Sequence, residues 1–203
     1  MAGSSKKMRG QYISRDTFEK NYKPIDGTKE AHLLCEIKWG KYGKPWLHWC
    51  QNQRTDIHAE DYFMNNIFKA MKHPVRCSVT WYLSWSPCAD CASKIVKFLK
   101  KYPYLKLTIY VAQLYYHTEE ENRKGLRLLR SKKVIIRVMD IADYNYCWKV
   151  FVSNQNGNED YWPSQFDPWV KENYSRLLDI FWEYPLAGVQ IPGRGNHPQH
   201  LLE

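Results

Sequence analysis

Nothing in this chain approaches the roughly twenty consecutive apolar residues that a membrane-spanning helix requires. Its strongest apolar runs, around Val79–Trp85 and Leu107–Ala112, are strand-sized, so no membrane association is expected. The stretch from Met1 to Arg9 is small, polar and basic, without the apolar segment of a secretory signal. The expected setting is therefore the cytoplasm and nucleus. Cysteine is sparse, at six in 203 residues, and in that setting the thiols serve as free side chains or metal ligands rather than as disulfides. No internal repeat and no low-complexity tract is present, which excludes solenoid and fibrous architectures. Acids are the minority charge, 21 Asp and Glu against 30 Lys and Arg, for a net charge of +9.

What is present is the composition of a globular α/β protein, 44% hydrophobic and 25% charged. The length suits one domain with a proper core. The expected organisation is a disordered N-terminus over residues 1–10, a single domain over 11–184, and an irregular tail over 185–203, where Pro and Gly recur without periodicity. An excess of positive charge points to an anionic partner. Nucleic acid is the usual one, because each neutralised phosphate releases condensed counterions. Fifteen Tyr and nine Trp exceed what a core of this size needs, and surplus aromatics give bases something to stack on.

Helical and strand-like segments alternate along the domain. A short helix over Asp16–Asn21, capped by Ser14 or Asp16, precedes a hairpin of Ala31–Trp39 and Pro45–Cys50 joined through Gly40–Gly43. Helical periodicity from His58 places Tyr62, Phe63, Ile67 and Met71 on one side and stops before Pro74. Then come a strand over Cys77–Trp85, a helix ending before Pro103, and a strand over Leu105–Leu114. A helix over Glu119–Leu129, a strand over Val134–Met139, and helices over Tyr144–Val152 and Pro168–Trp182 complete the series. The strand–helix–strand–helix–strand order calls for a mixed or parallel sheet with right-handed crossovers. Such sheets bind ligands beyond the carboxyl ends of their strands.

Two segments carry chemistry at those places. His58-Ala59-Glu60 opens one helix, and Pro87-Cys88-Ala89-Asp90-Cys91 opens the next, with Ser86 as the expected N-cap and Pro87 in the first helical position. Cys88 and Cys91 are three apart and share a face, and a helix N-terminus favours their thiolate form. His58 as a third ligand leaves one tetrahedral position for water, the pattern of a catalytic zinc. Glu60 is then placed as general acid and base. An isolated C-x-x-C or H-x-E carries little information. Both together, with 26 residues (61 to 86) between Glu60 and Pro87, form the signature of zinc-dependent base deaminases.

The segment Cys77–Cys91 (CSVTWYLSWSPCADC) resembles the AID/APOBEC polynucleotide cytidine deaminases. The resemblance runs from Phe18 to about Trp182 and is strongest, at EIKWG, LSWSPC and ENRKGL, with the apolipoprotein B mRNA-editing branch. The section after Trp182 departs, being Leu-rich in that branch and rich in Pro and Gly here. The resemblance implies an α/β, cytidine deaminase-like fold of five strands in a mixed sheet, the last two parallel, surrounded by six helices. It implies one Zn2+ per chain on His58, Cys88 and Cys91, with Glu60 as proton shuttle. Trp85, Ser86, Asn52 and Tyr115 match residues around the target nucleotide, and Tyr116 and His117 belong to the loop reading the preceding one. Lys29 and Arg54, on loops expected beside the pocket, are candidates for phosphate contacts. Implied partners are single-stranded RNA or DNA, an RNA-binding auxiliary protein and a second copy of the chain; the implied contexts are mRNA editing and antiviral defence. Competing readings are a free-nucleoside cytidine deaminase and an RNA-binding module with weak or no deaminase activity. Among the remaining basic residues, Lys94, Lys97, Lys100 and Lys101 read as a solvated helix face. Arg127, Arg130, Lys132, Lys133 and Arg137 form a second cluster that could meet RNA backbone.

Overall fold

The computed structural model describes residues 12–25, 30–40, 44–53, 56–71, 76–153 and 163–182. The expectations for residues 1–10 and 185–203, for Lys29 and Arg54, and for most of the Gly40–Gly43 turn lie outside them. Strands β1 (His32–Trp39), β2 (Trp46–Gln51), β3 (Cys77–Trp85), β4 (Leu105–Gln113) and β5 (Ile135–Val138) make one sheet in the order β2-β1-β3-β4-β5. β1 runs antiparallel to both β2 and β3, whereas β3, β4 and β5 are parallel. Six α-helices accompany them: α1 (Arg15–Asn21), α2 (Ala59–Tyr62), α3 (Ala89–Lys101), α4 (Glu120–Ser131), α5 (Ile141–Phe151) and α6 (Asp167–Trp182). This is the expected cytidine deaminase-like mixed α/β fold. Among the described residues no helix is long and apolar enough to cross a membrane.

The central strands are apolar on both faces because helices cover both. On one face Leu33, Cys35 and Ile37 of β1 and Val79, Trp81 and Leu83 of β3 pack with Ile95 of α3, Leu126 and Leu129 of α4, and Leu177 and Ile180 of α6. On the other, Leu34, Tyr82 and Ala112 meet Phe18 and Tyr22 of α1 and Tyr144, Trp148 and Phe151 of α5. The parallel arrangement sends the carboxyl ends of β3 and β4, and the starts of the helices that follow them, to one end of the sheet.

Three local readings are corrected. The helix after His58 makes one α-turn and then widens into a π-helical segment, Phe63–Phe68. Its five-residue repeat brings Phe63 and Phe68 to the same side, with Phe63 edge-on to Trp81 and Phe68 edge-on to Phe98. Tyr62, Phe63, Ile67 and Met71 all pack against the core, as the 3.6-residue pattern predicts, but that pattern omits Met64 and Phe68, which are buried there beside Phe63. α5 begins three residues earlier than predicted, at Ile141, because Asp140 and Asp143 form a capping box there. The third correction, at α3, belongs to the site.

α3 and α4 approach closely at Gly125. A Cβ there would lie 3.1 Å from the Ala92 Cβ and 3.2 Å from the Ala89 Cα. A branched side chain cannot be accommodated without pushing the helices apart. Gly125→Val is expected to cost about 1–3 kcal/mol by overpacking, measurable by urea denaturation, and to displace the first turn of α3.

Candidate metal centre

The chain leaves β3 at Trp85 and enters α3 at Ala89, two residues later than predicted. Ser86 is not the N-cap, because its Oγ accepts a hydrogen bond from Tyr115 N–H at 2.9 Å and is thereby tied to the end of β4. Cys88 takes the capping position, its sulfur accepting from Cys91 N–H at 3.4 Å. His58 is the N-cap of α2 in extended backbone (φ −71°, ψ 159°), and its side chain makes no capping bond. The ring is thus left to face α3. His58 Nδ1 lies 3.3 Å from Cys91 Sγ and 3.6 Å from Cys88 Sγ, and the three donor atoms all fall within 4.8 Å of one another. A tetrahedral zinc with ordinary Zn–S and Zn–N bonds separates its ligands by about 3.5–3.8 Å. One imidazole nitrogen and two sulfurs at these spacings fit such an ion.

Electrostatics agree with that donor set. The hydrogen bond from the Cys91 thiol lowers Cys88 to about 5, against the opposing effect of burial. Cys91 moves upward because its proton is held by Cys88 and because it is buried. The pair shares one proton that a cation would displace. Glu60 is buried beside them, and burial raises its carboxyl to about 7. Its Oε2 has no hydrogen-bond partner, an orphaned polar atom that a ligand in the adjoining cavity would satisfy.

That cavity, about 220 Å³, is walled by Asn52, His58, Glu60, Trp85, Cys88 and Tyr115, together with Ser86 and Ala31. It holds about seven waters' worth of space at ~30 Å³ each, enough for a single-ring base. Asn52 Oδ1 accepts from Ala59 N–H at 2.9 Å, so the residue also caps α2 from outside. The Trp85 and Tyr115 rings stand edge to face, 6.3 Å apart, and Tyr116 packs against Tyr115 at 4.6 Å. Tyr116 is 55% exposed and holds φ +36°, a strained conformation for a bulky residue. His117 follows in the same turn, its carbonyl accepting from Arg123. Of the residues singled out from sequence, eight are thus gathered around one cavity, counting Cys91 behind its wall, and Tyr116 and His117 lie in the turn beside Tyr115.

Sequence reasoning missed the groups that hold this arrangement. Asn122 of α4 accepts from Ala89 N–H at 3.0 Å and reaches Tyr116 O through its Nδ2 at 3.5 Å. It ties the opening of the cysteine-bearing helix to the Tyr116 turn. Lys94 bridges Asp61 of α2 (2.9 Å) and Asp90 of α3 (3.0 Å), clamping the two helix starts together. Neither role has a local sequence signal, because both depend on tertiary proximity. Asn122→Ala is expected to cost about 1 kcal/mol as a lost cap and to weaken metal affinity about 10–100-fold; urea denaturation and competition with a chelator measure the two effects.

The basic segments divide. Lys94 is engaged in the clamp, while Lys97 and Lys101 are exposed. In the second cluster, Arg127 pairs with Glu120 and donates to Ile180 O at 3.3 Å, and Arg130 lies over the Phe181 ring at 4.6 Å. These two arginines pin α6 to α4.

Comparison with known proteins agrees with the geometry. A family model described as APOBEC4-like AID/APOBEC deaminase matches residues 18–154. The chain is 44% identical over 175 residues to the C->U-editing enzyme APOBEC-1 of Mus musculus, covering 85% of this chain and 76% of that protein. It is 41% identical over 155 residues to APOBEC-1 of Homo sapiens, covering 75% and 65%. It is 35% identical over 141 residues to the probable C->U-editing enzyme APOBEC-2 of Bos taurus, covering 68% and 59%. The last two alignments span somewhat less than two thirds of the relative. The matched region contains the whole His58/Cys88/Cys91 cluster, and the chain belongs to the AID/APOBEC deaminase family, close to its APOBEC-1 members.

Proposed function

We propose that this protein is a zinc-dependent hydrolase that deaminates cytosine to uracil in single-stranded polynucleotide. The observation that carries this reading is one base-sized cavity that brings the metal-donor cluster together with a buried carboxylate, one of whose oxygens is unpartnered, and two aromatic rings. His58 Nδ1 and the sulfurs of Cys88 and Cys91 would hold the ion. When bound, zinc in such a ligand set lowers the pKa of a water ligand toward neutrality.

The chain's own residues do the rest. Trp85 and Tyr115 confine the ring of a base turned out of its strand, and single-stranded substrate makes that extrusion least costly. Ser86 and Asn52 supply polar contacts along the cavity wall. Glu60 takes a proton from the water that attacks C4 and delivers it to N3. It then moves the remaining hydroxyl proton to the exocyclic amine; the C4–N bond breaks, ammonia leaves and the C4 oxygen remains as the uracil carbonyl. The names of the APOBEC-1 relatives, as C->U-editing enzymes, support the same reaction.

The test is incubation of the purified chain with matched single-stranded RNA and DNA oligonucleotides, read by sequencing. Uracil at cytosine positions is expected in at least one of them, and its absence from both contradicts the reading. A substitution at the exposed Tyr116 is expected to change the preferred nucleotide before the target several-fold while leaving metal content intact. An unchanged context preference would remove Tyr116 from the substrate-reading role.

A further inference from the structure

A second polar groove lies at the opposite pole of the sheet. It is a cavity of about 620 Å³ lined by Lys38, Gly40, Arg76, Ser78, Tyr104 and Lys106, with Cys77 and Pro103 completing it. Strand register builds its floor. Lys38 of β1 is paired with Ser78 of β3, and Ser78 with Lys106 of β4, so the three side chains form one row across three strands. Because neighbours in a row share a face, the two lysines stand about two strand spacings apart, roughly 10 Å. All three are exposed. The row belongs to the sheet face whose other half carries Tyr82 and Ala112 under α1 and α5. Trp85 lies seven positions along β3 from Ser78, or about 23 Å, so this groove is distinct from the candidate active site.

Its charge is one-sided. Among the described residues that line it, none is acidic. Arg76 and Lys106 are exposed, and among the described residues neither has an ion-pair partner. Lys38 is paired with the buried Glu36 of its own strand, a carboxylate that also accepts from Tyr146 Oη. That pairing fixes the lysine stem at the groove's edge. Tyr104, 42% exposed, adds an aromatic face beside the cations. A row of cations next to an exposed ring is how proteins hold single strands without reading sequence: phosphates on the charges and a base on the ring.

We infer that this groove binds the phosphodiester backbone of the polynucleotide substrate at a distance from the base being deaminated. The class of ligand rests on the function proposed above, but binding here requires neither metal nor Glu60. A strand long enough to engage both poles is held at two places, and a short one only at the catalytic pocket.

The experiment compares the full wild-type chain with R76E/K106E and with K20E/K149E, a control of equal net charge whose two lysines are exposed elsewhere. Binding of a labelled single strand of about 30 nucleotides is measured by anisotropy across a salt series. For R76E/K106E an affinity loss of about 10-fold or more near 0.1 M salt is expected, with the salt slope reduced by about 1.4 for two lost phosphate contacts. The same variant should deaminate a strand of about five nucleotides with unchanged kcat and KM, and show a raised KM only for the long strand. Equal affinity and slope in wild type and R76E/K106E overturn the inference. An equal loss in K20E/K149E also overturns it, because the effect would then be bulk charge. If no oligonucleotide yields uracil with the wild type, the catalytic reading fails, while the anisotropy comparison still decides the groove.

Discussion

Replacing Glu60 with Gln is expected to lower the rate of uracil formation by about 10²–10⁴-fold while leaving fold and metal in place. The carboxylate handles protons twice in the reaction, first between water and N3 and then to the departing amine, and an amide of the same shape can do neither. Zinc should remain, because His58, Cys88 and Cys91 are untouched and Glu60 lies outside the three-donor cluster. Stability should not fall either. Burial already resists the ionised form and lifts this carboxyl to about 7, so a neutral side chain suits the site at least as well as the native one. Single-turnover deamination, metal content and a thermal melt on the same preparation separate these effects. Retained activity would remove Glu60 from the mechanism.

Cys91→Ala is the second large effect. The sulfur is fully buried, at 3.3 Å from His58 Nδ1, and is hydrogen-bonded to Cys88. Its loss removes one of two thiolate donors, and among the described residues His58, Cys88 and Cys91 are the whole cluster of donors within 4.8 Å of one another. The variant should bind no zinc at micromolar concentration and form no detectable uracil. Linkage sets the stability scale. With free zinc held at about a thousand times Kd, the ion contributes about 4 kcal/mol. A chelator should therefore lower the melting temperature of the wild type and leave that of Cys91→Ala unchanged. Equal responses in the two proteins would show that the cluster does not hold the ion.

How much of this was legible beforehand follows from how local each feature is. H-A-E and P-C-A-D-C are contiguous, and each sits where a helix begins, so sequence alone pointed to His58, Cys88 and Cys91. That the sheet is mixed or parallel was legible for a related reason: alternating strand and helix patterns permit few connections. Non-local features were not. The π-helical segment obeys a five-residue repeat that a 3.6-residue template cannot detect. Ser86 looked like a cap because Ser before Pro usually opens a helix, but the end of β4 claimed its hydroxyl and a cysteine took over. Asn122 and Lys94 became important only when α2, α3 and α4 met. The Lys38–Ser78–Lys106 row is absent from any sequence pattern, because it exists only once three strands are in register.

X-ray absorption at the zinc edge of the purified protein addresses the central claim most directly. Convergence of His58, Cys88 and Cys91 requires one ion per chain with two sulfurs at about 2.3 Å and two light atoms at about 2.0–2.1 Å, one of them an imidazole nitrogen and the other a water. A spectrum with four sulfurs, or a preparation that takes up no zinc at all, would contradict it.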